Sequence, residues 1–125
     1  MSFTLLSVGG TMSTNLVSID VNNTVYDAAK LMKEKAIGSL VIKNGDATEG
    51  LITERDIVCK VVAEGIDAKE AKLEGYVNKS TENIDQEDSI FDARQLMLDK
   101  NVDYLLVQKD GKLVGIVSKH DLLKD

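Results

Sequence analysis

Residues 50–58 read GLITERDIV, and residues 115–123, which lie 65 positions further along the chain, read GIVSKHDLL. The same offset relates residues 10–58 to residues 75–123 without a gap. Equivalent segments of an internal repeat fold alike and pack on each other. The sequence therefore predicts two pseudo-symmetric copies of one unit, and any site between the copies should occur twice.

The composition is that of a globular protein, with 43% hydrophobic and 29% charged residues among 125. Its apolar runs are strand-sized, far below the ~20 residues that a membrane-spanning helix needs. The start of the chain lacks the positively charged end of a signal peptide. We therefore expect one compact unit in the cytoplasm that does not associate with membranes.

The net charge of −6 disfavours nucleic-acid binding, because contacts to phosphates need a positive field. Three Tyr and two Phe also provide few rings for base stacking. A nucleic-acid-binding module is thus a weak alternative. The acidic balance still permits a local anion site, because the donors of a pocket set its own potential.

Cysteine and histidine each occur once, which disfavours disulfides and metal sites. Cys59 follows the apolar residues Ile57 and Val58, so we expect a buried structural thiol. His120 is either a phosphate contact or a solvent-facing residue at a helix start. No metal site is predicted.

Each copy reads as strand, helix, strand, turn, strand, helix. Thr24 and Asp27 form a capping-box pattern at the start of the first helix, and Ser89 and Asp92 repeat it. Helical spacing then predicts two buried stripes, which are Val25, Ala28, Ala29, Met32 and Ala36, and Ile90, Ala93, Leu96 and Met97.

Two hairpins follow these helices. Strands at 39–43 and 50–53 flank the turn at 44–46, and strands at 104–109 and 113–118 flank Asp110-Gly111. Their nearly continuous apolar runs indicate strands that are covered on both faces. The predicted fold class is α/β (α+β), in which each copy is a small sheet with two helices.

The sequence divides into a first motif at 8–66, a linker at 67–74 and a second motif at 75–125. The first motif ends in a helix that stops at Gly65, a residue suited to a left-handed C-cap. In the linker, Asp67 is expected to cap a short solvated helix over 68–73.

The candidate site is the closing motif of each copy, Thr53-x-x-Asp56 and Ser118-x-x-Asp121. Both are capping boxes that need no ligand, so capping is one interpretation. A binding interpretation rests on their position directly after a buried strand, where unpaired N–H groups face an anion. A glycine three residues before each hydroxyl lets another backbone or a ring approach closely.

The residues next to the aspartates favour binding further. Arg55 and His120 precede them, and Lys119 lies beside the latter. A carboxylate can accept hydrogen bonds from two vicinal hydroxyls, and neighbouring cations suit a phosphate. This set of groups matches a phosphorylated ribose.

With its two closing motifs in register, the chain resembles a pair of cystathionine-β-synthase (CBS) domains, known as a Bateman module, from about residue 8 to 123. The resemblance implies two motifs packed through their sheets, with two clefts that hold AMP, ADP, ATP, S-adenosylmethionine or NAD-like ligands. The aspartates would hold the ribose. The implied nucleotide-binding residues are Ser18, Ile19, Ala36, Ile37, Gly38, Thr53, Arg55, Asp56, Asn83, Ile84, Val102, Asp103, Ser118, Lys119, His120 and Asp121.

The two implied clefts differ in charge and bulk. Gly38 lets a ring approach, whereas its equivalent Asp103 adds bulk and a negative charge that opposes phosphate. Lys119 partly offsets that charge, while Glu54 takes its place in the first copy. We therefore expect unequal affinities that favour the cleft with Asp56.

The resemblance implies a stand-alone ligand-sensing regulator. An enzyme is disfavoured separately, because the sequence shows no catalytic triad, phosphate loop or metal cluster. No cofactor is required, and the nucleotide would be a regulatory ligand. A homodimer formed through helix faces such as Ile57 and Val58 is also implied, together with an unidentified regulated protein. The alternative is an interaction scaffold whose clefts stay empty.

Overall fold

The structure is a computed structural model that describes residues 7–14, 16–78 and 82–123. The described residues fall into two compact units. The first-repeat unit holds those from 17 to 78, and the second-repeat unit holds those from 7 to 16 and from 82 to 123. Both contain a three-stranded sheet and helices, which confirms the mixed α+β class.

Both units follow one plan. The elements of the first-repeat unit are β1 (Ser18–Asp20), α1 (Val25–Lys35), β2 (Ser39–Asn44), β3 (Ala47–Thr53) and α2 (Glu54–Ile57), followed by a π-helical segment (Val58–Val62) and a 3₁₀ turn (Leu73–Gly75). Those of the second-repeat unit are a 3₁₀ turn (Val8–Gly10), β4 (Asn83–Asp85), α3 (Ile90–Lys100), β5 (Tyr104–Lys109), β6 (Lys112–Ser118) and α4 (Lys119–Leu122).

The two sheets have the same topology. β1 runs parallel to β2, and β2 pairs antiparallel with β3; β4, β5 and β6 repeat this order. The hairpins turn at Gly45 (φ 63°) and at Asp110-Gly111 (φ 52° and 78°), positive angles that Gly and Asp tolerate. Three consecutive residues at the centre of β2 and of β5 are buried, as expected for strands covered on both faces.

The capping predicted for the first helix of each unit is confirmed. Thr24 Oγ1 accepts from the N–H of Asp27 at 3.2 Å, and Asp27 Oδ2 accepts from the N–H of Thr24 at 3.1 Å. In α3, Ser89 Oγ accepts from the N–H of Asp92 at 3.0 Å. These bonds satisfy backbone donors that a helix start otherwise leaves unpaired.

One member of the predicted stripe is wrong. Ala36 is exposed, because α1 ends there in a left-handed conformation with φ 54°. Asn101 occupies the same position after α3, with the same φ of 54°. The chain therefore leaves each helix abruptly and enters the next strand within three residues.

Each unit has its own buried cluster. The first contains Val25, Ala28, Met32, Leu40, Ile42, Ile52, Val61, Ala71 and Leu73 among others. The second contains Val8, Ile84, Ala93, Met97, Leu105, Val107, Val117 and Leu122. In both units, one face of the first helix (α1 or α3) packs on the sheet together with the helix that follows the last strand (α2 or α4), which we call the closing helix.

The segment at the start of each repeat packs on the unit of the other repeat. Val8 is fully buried in the second cluster, and Ser13 pairs antiparallel with Ile116 of β6. Equivalently, Asn78 pairs antiparallel with Leu51 of β3. We call residues 8–13 and 73–78 the leading segments. The sequence motifs at 8–66 and 75–125 thus cut across the compact units.

The predicted solvated helix in the linker is wrong. Residues 68–70 form a turn in which Asp67 Oδ1 accepts from the N–H of Lys69 at 3.0 Å. Ala71 and Leu73 are then buried, and the carbonyl of Ala71 accepts from the N–H of Val25 at 2.8 Å. Apolar residues two apart suit extended backbone, and here their burial outweighs the local helical preference.

The prediction of a buried Cys59 is also wrong, because its side chain is exposed. Ile57 and Val61 lie four residues apart and face the core. Cys59 is two residues from each of them and therefore lies on the opposite side of the helix. No helix within the described ranges is long and apolar enough to cross a bilayer.

Candidate functional site

Both closing motifs form complete capping boxes. Thr53 N–H donates to Asp56 Oδ2 at 2.9 Å, and Asp56 N–H donates to Thr53 Oγ1 at 3.1 Å. Ser118 and Asp121 make the same two bonds at 3.0 Å each. The predicted capping bonds are therefore present, and any ligand would bind a carboxylate that already holds a helix start.

Asp56 has a second partner that the sequence analysis missed. Its Oδ1 lies 3.2 Å from Lys60 Nζ, and the Asp56 side chain is only 13% exposed. The i,i+4 spacing of an acid and a lysine was the available signal. The carboxylate is thus neutralised within its own helix, and a ligand hydroxyl would share its oxygens with these donors.

The loop after the first helix is joined to the closing helix in each unit. The Gly38 carbonyl accepts from the N–H of Glu54 at 2.9 Å, and the Asp103 carbonyl accepts from the N–H of Lys119 at 2.8 Å. The structure thereby brings these loops beside the closing motifs, as the binding interpretation requires. In the second-repeat unit, Lys119 Nζ also lies 3.6 Å from Asp103 Oδ1.

The residues predicted on the short strands lie further away. Ser18 and Ile19 in β1 pair with Val41 and Ile42 of β2, so β2 separates them from the closing motif. In the second-repeat unit, Asn83 and Ile84 have the same positions, paired with Leu106 and Val107. Ser18 and Asn83 are exposed, whereas Ile84 is buried.

A groove of about 430 Å³ opens on the first-repeat unit. Its lining consists of Ala29, Met32, Lys33, Ala36, Ile37, Gly38, Glu54, Ile57 and Val58. Three predicted residues, Ala36, Ile37 and Gly38, are therefore gathered there, without Thr53 or Asp56. The equivalent groove of the second-repeat unit measures about 190 Å³ and excludes Val102 and Asp103.

The cationic or potentially cationic residues beside the aspartates are exposed. Arg55, Lys119 and His120 all lie in the first turns of their short helices. Val102 is half-buried, and its N–H donates to the carbonyl of Met97 at 3.1 Å. These side chains are thus accessible to an anion that approaches the closing motifs.

The glycines before the closing motifs are explained by the protein's own backbone. A Cβ at Gly50, whose φ is 152°, would collide with the carbonyl of Asn78. A Cβ at Gly115 would lie 2.5 Å from Met12 Sδ and 3.0 Å from the Ser13 carbonyl. The sequence left two roles open for these glycines, close approach by another backbone or by a ring. In the structure, each glycine lets a leading segment approach the strand closely.

The repeat agrees with a known protein family. The profile of the CBS domain matches residues 7–63 and 70–125. The chain belongs to the CBS-domain family. CBS-domain pairs are typically regulatory and ligand-binding, which supports the coarse functional class predicted from the sequence.

Several relatives extend along nearly the whole chain. The CBS domain-containing protein YhcV of Bacillus subtilis is 33% identical over 93% of this chain and 82% of its own length. MK0525 of Methanopyrus kandleri is 34% identical over 95% of this chain, which spans only 62% of that protein. A hexameric CBS-CP12 protein from bloom-forming cyanobacteria has a TM-score of 0.88 at 32% identity, covering 95% of this chain and 67% of that one.

Proposed function

We propose that this CBS-domain protein is a regulatory module that binds adenosine-containing nucleotides at its closing motifs. The observation that carries the proposal is the recurrence of the closing motif in register at the strand ends of both repeats. AMP, ADP and ATP are the favoured ligands, ahead of S-adenosylmethionine and NAD-like molecules. Such ligands are intracellular metabolites, so the proposal places the protein in the cytoplasm.

The chemistry of Asp56 is compatible with both capping and binding. Each carboxylate oxygen has two lone pairs, so Oδ2 can accept from Thr53 and Oδ1 from Lys60 with capacity remaining. A ribose diol would use that capacity. Arg55 and Lys60 would then lie on either side of the carboxylate in sequence and supply positive charge for a phosphate.

The first-repeat site should bind more tightly than the second. Asp103, whose side chain is 41% exposed, adds a negative charge 3.6 Å from Lys119 that opposes a phosphate at the second site. Gly38 presents no side chain at the equivalent position. One ligand per chain is therefore expected at moderate concentration.

Binding regulates only if the ligand has different affinities for two arrangements of the protein. We propose that these arrangements differ in contacts with a second copy and with a separate regulated protein. The hexameric CBS-CP12 relative is a precedent for assembly of such modules. Catalysis is not part of the proposal.

Thermal unfolding with AMP, ADP, ATP, S-adenosylmethionine and NAD at millimolar concentration tests the proposal. At least one ligand should raise the midpoint, because a ligand of the native state stabilises it by mass action. Asp56→Asn should remove most of that rise. Asp27→Asn is the matched control, because Asp27 forms the same capping box at a helix with no predicted ligand.

An interaction scaffold with empty sites is the second candidate. It is favoured by the internal pairing of both Asp56 oxygens, Oδ2 with the Thr53 N–H and Oδ1 with Lys60. Absence of any shift across the panel would support the scaffold and contradict the proposal. Equal loss of the shift in Asp27→Asn and Asp56→Asn would reduce the aspartate's role to folding.

A further inference from the structure

Met12 lies in the leading segment 8–13 and packs against the strand that ends in the second closing motif. A Cβ placed on Gly115 would be 2.5 Å from Met12 Sδ, so the sulfur has no spare room on the side of that glycine. Met12 is half-buried and also packs against the apolar cluster of the second-repeat unit. The thioether therefore fills a fitted position while the residue stays partly accessible to solvent.

The first-repeat unit has a different residue at the equivalent position. Val77 lies 65 residues after Met12, and its Cγ1 would be 2.9 Å from a Cβ placed on Gly50. Both leading segments thus press an apolar side chain onto the glycine that opens a closing motif. A thioether is readily oxidised to a sulfoxide and a valine is not, so the two repeats differ in redox chemistry at this contact.

The other methionines that the structure describes are protected by burial. Met32 is 6% exposed in the first cluster, and Met97 is 2% exposed in the second. Oxidation of a side chain is favoured by its exposure. Within the described ranges, Met12 is therefore the methionine that an oxidant reaches most easily.

We propose that Met12 is a site of reversible oxidation by hydrogen peroxide, and that its sulfoxide releases the leading segment from the second closing motif. A lone pair of Sδ attacks one peroxide oxygen, and the S–O bond forms as the O–O bond breaks. The proton on the transferred oxygen passes to the departing hydroxide, which leaves as water. The sulfur is oxidised by two electrons, and the peroxide is reduced by two.

The sulfoxide does not fit the position that the thioether fills. Its oxygen accepts hydrogen bonds, whereas the cluster that Met12 packs against is apolar, so a buried sulfoxide is left unpaired. Rotation of the side chain into solvent instead uncovers Gly115 and the cluster. Either outcome weakens the antiparallel pairing of Ser13 with Ile116.

The same segment also holds the closing helix of the second-repeat unit. Thr11 Oγ1 donates a hydrogen bond to the carbonyl of Asp121 at 3.3 Å. Release of the segment would remove this bond and loosen the second closing motif, while the first motif, beside Val77, keeps its support. Nucleotide affinity would then fall at the second site alone, and this consequence rests on the proposed function.

Amide hydrogen exchange followed by NMR in the absence of nucleotide tests the release. The protein carries Cys59→Ser, because the exposed thiol would also react with peroxide. After peroxide treatment, the amides of Ser13 and Ile116 should exchange about tenfold faster. Those of Leu51 and Asn78, which form the equivalent bridge, should keep their rates and serve as the internal control. Methionine sulfoxide reductases should restore the original rates.

Met12→Leu is the matched variant, and Met12→Val copies the residue of the first repeat. Peroxide should leave the exchange of Ile116 unchanged in both variants, which retain the other methionines. Peptide mapping by mass spectrometry identifies the methionines that have been oxidised.

Oxidised Met12 without faster exchange at Ile116 would overturn the proposal, and so would equal acceleration at Leu51, which reports general unfolding. A Met12 that resists peroxide while free methionine reacts would overturn it too. If exchange behaves as stated while no nucleotide binds, the release stands and only the proposed ligand is contradicted.

Discussion

Ser13 and Ile116, near opposite ends of the described chain, exchange two backbone hydrogen bonds of 2.8 and 3.0 Å. Asn78 and Leu51 form the equivalent pair, with bonds of 2.8 and 3.3 Å. Each bridge lies beside the glycine that opens a closing motif. The leading segments are thereby attached to the strands that position both candidate sites.

Replacing these glycines should therefore destabilise the protein by collision with a leading segment. Gly50→Ala should cost about 2–4 kcal/mol, because the added Cβ meets backbone at a positive φ. Gly115→Ala should cost about 1–3 kcal/mol, because the Met12 side chain can yield in part. Gly75→Ala, which meets nothing within 4 Å, is the control. Urea unfolding measures all three, and equal costs would contradict this explanation.

The buried linker gives a second prediction. Leu73→Ala should lower the free energy of unfolding by about 2–5 kcal/mol, because the Leu73 side chain is fully buried. Glu74→Ala, at the neighbouring exposed position, should change it by less than about 0.5 kcal/mol. Chemical denaturation followed by circular dichroism provides the comparison. A small cost at Leu73 would restore the solvated-linker interpretation.

Acid should weaken the cap of α1. The pKa of the Asp27 carboxyl is held below its ordinary value of 3.8 by hydrogen bonds from Thr24. The bond from the Thr24 backbone is the larger cause, and the bond from its side chain is the second. The unfolded chain therefore binds more protons than the native one between the two pKa values. The stabilisation is complete above 3.8 and is lost as pH falls through the native pKa.

Asp27→Asn should consequently show a weaker decline in stability than the parent protein as pH falls from 5 towards 2.5. Asp46→Asn, at the exposed hairpin turn, is the matched control for the removal of one carboxylate. Unfolding free energies at a series of pH values supply the test. Parallel curves for Asp27→Asn and the parent would show that the cap does not couple to protonation.

The difference in nucleotide affinity between the two sites should depend on residues 38 and 103. Asp103→Gly should remove a negative charge and raise the number of AMP molecules bound per chain from one towards two. Gly38→Asp should weaken binding at the first site by about tenfold or more. Isothermal titration calorimetry reports both stoichiometry and affinity. An unchanged stoichiometry in Asp103→Gly would contradict the stated cause of the inequality.

Lys60 should distinguish charged from neutral ligands. Because Lys60 pairs with Asp56, Lys60→Gln removes both a competitor for the carboxylate and a cation for phosphate. The ratio of AMP affinity to adenosine affinity should fall about three- to tenfold. Lys112→Gln, on the exposed start of β6, should leave that ratio unchanged. A rise in the ratio would exclude the phosphate role.

Local signals in the sequence predicted much of this fold. The Thr24 and Asp27 pair marked a helix start, and Asp110-Gly111 marked a hairpin, because caps and turns depend on residues close in sequence. The same signals could not place Ser13 on Ile116, since no local pattern specifies a distant partner. The burial of Ala71 was missed for that reason.

The candidate site was predicted less completely. The closing motifs form the capping boxes that their spacing indicated, whereas the Asp56–Lys60 ion pair was overlooked although its spacing was visible. The exposure of Cys59 depends on which helix face the core selects, and the apolar neighbours on both sides left that choice open. The exposure of Cys59 is therefore determined by tertiary packing and not by a local pattern in the sequence.

The placement of the leading segments has a consequence for synthesis on the ribosome. Residues 17–78, which form the first-repeat unit, emerge as one uninterrupted stretch and can fold as soon as they are clear. Residues 8–13 emerge earlier but acquire their strand partner only when β6 has been translated, roughly 5–20 s later at ordinary elongation rates. During that interval Val8 has no core to enter, so the nascent chain carries an exposed apolar arm that a chaperone can hold.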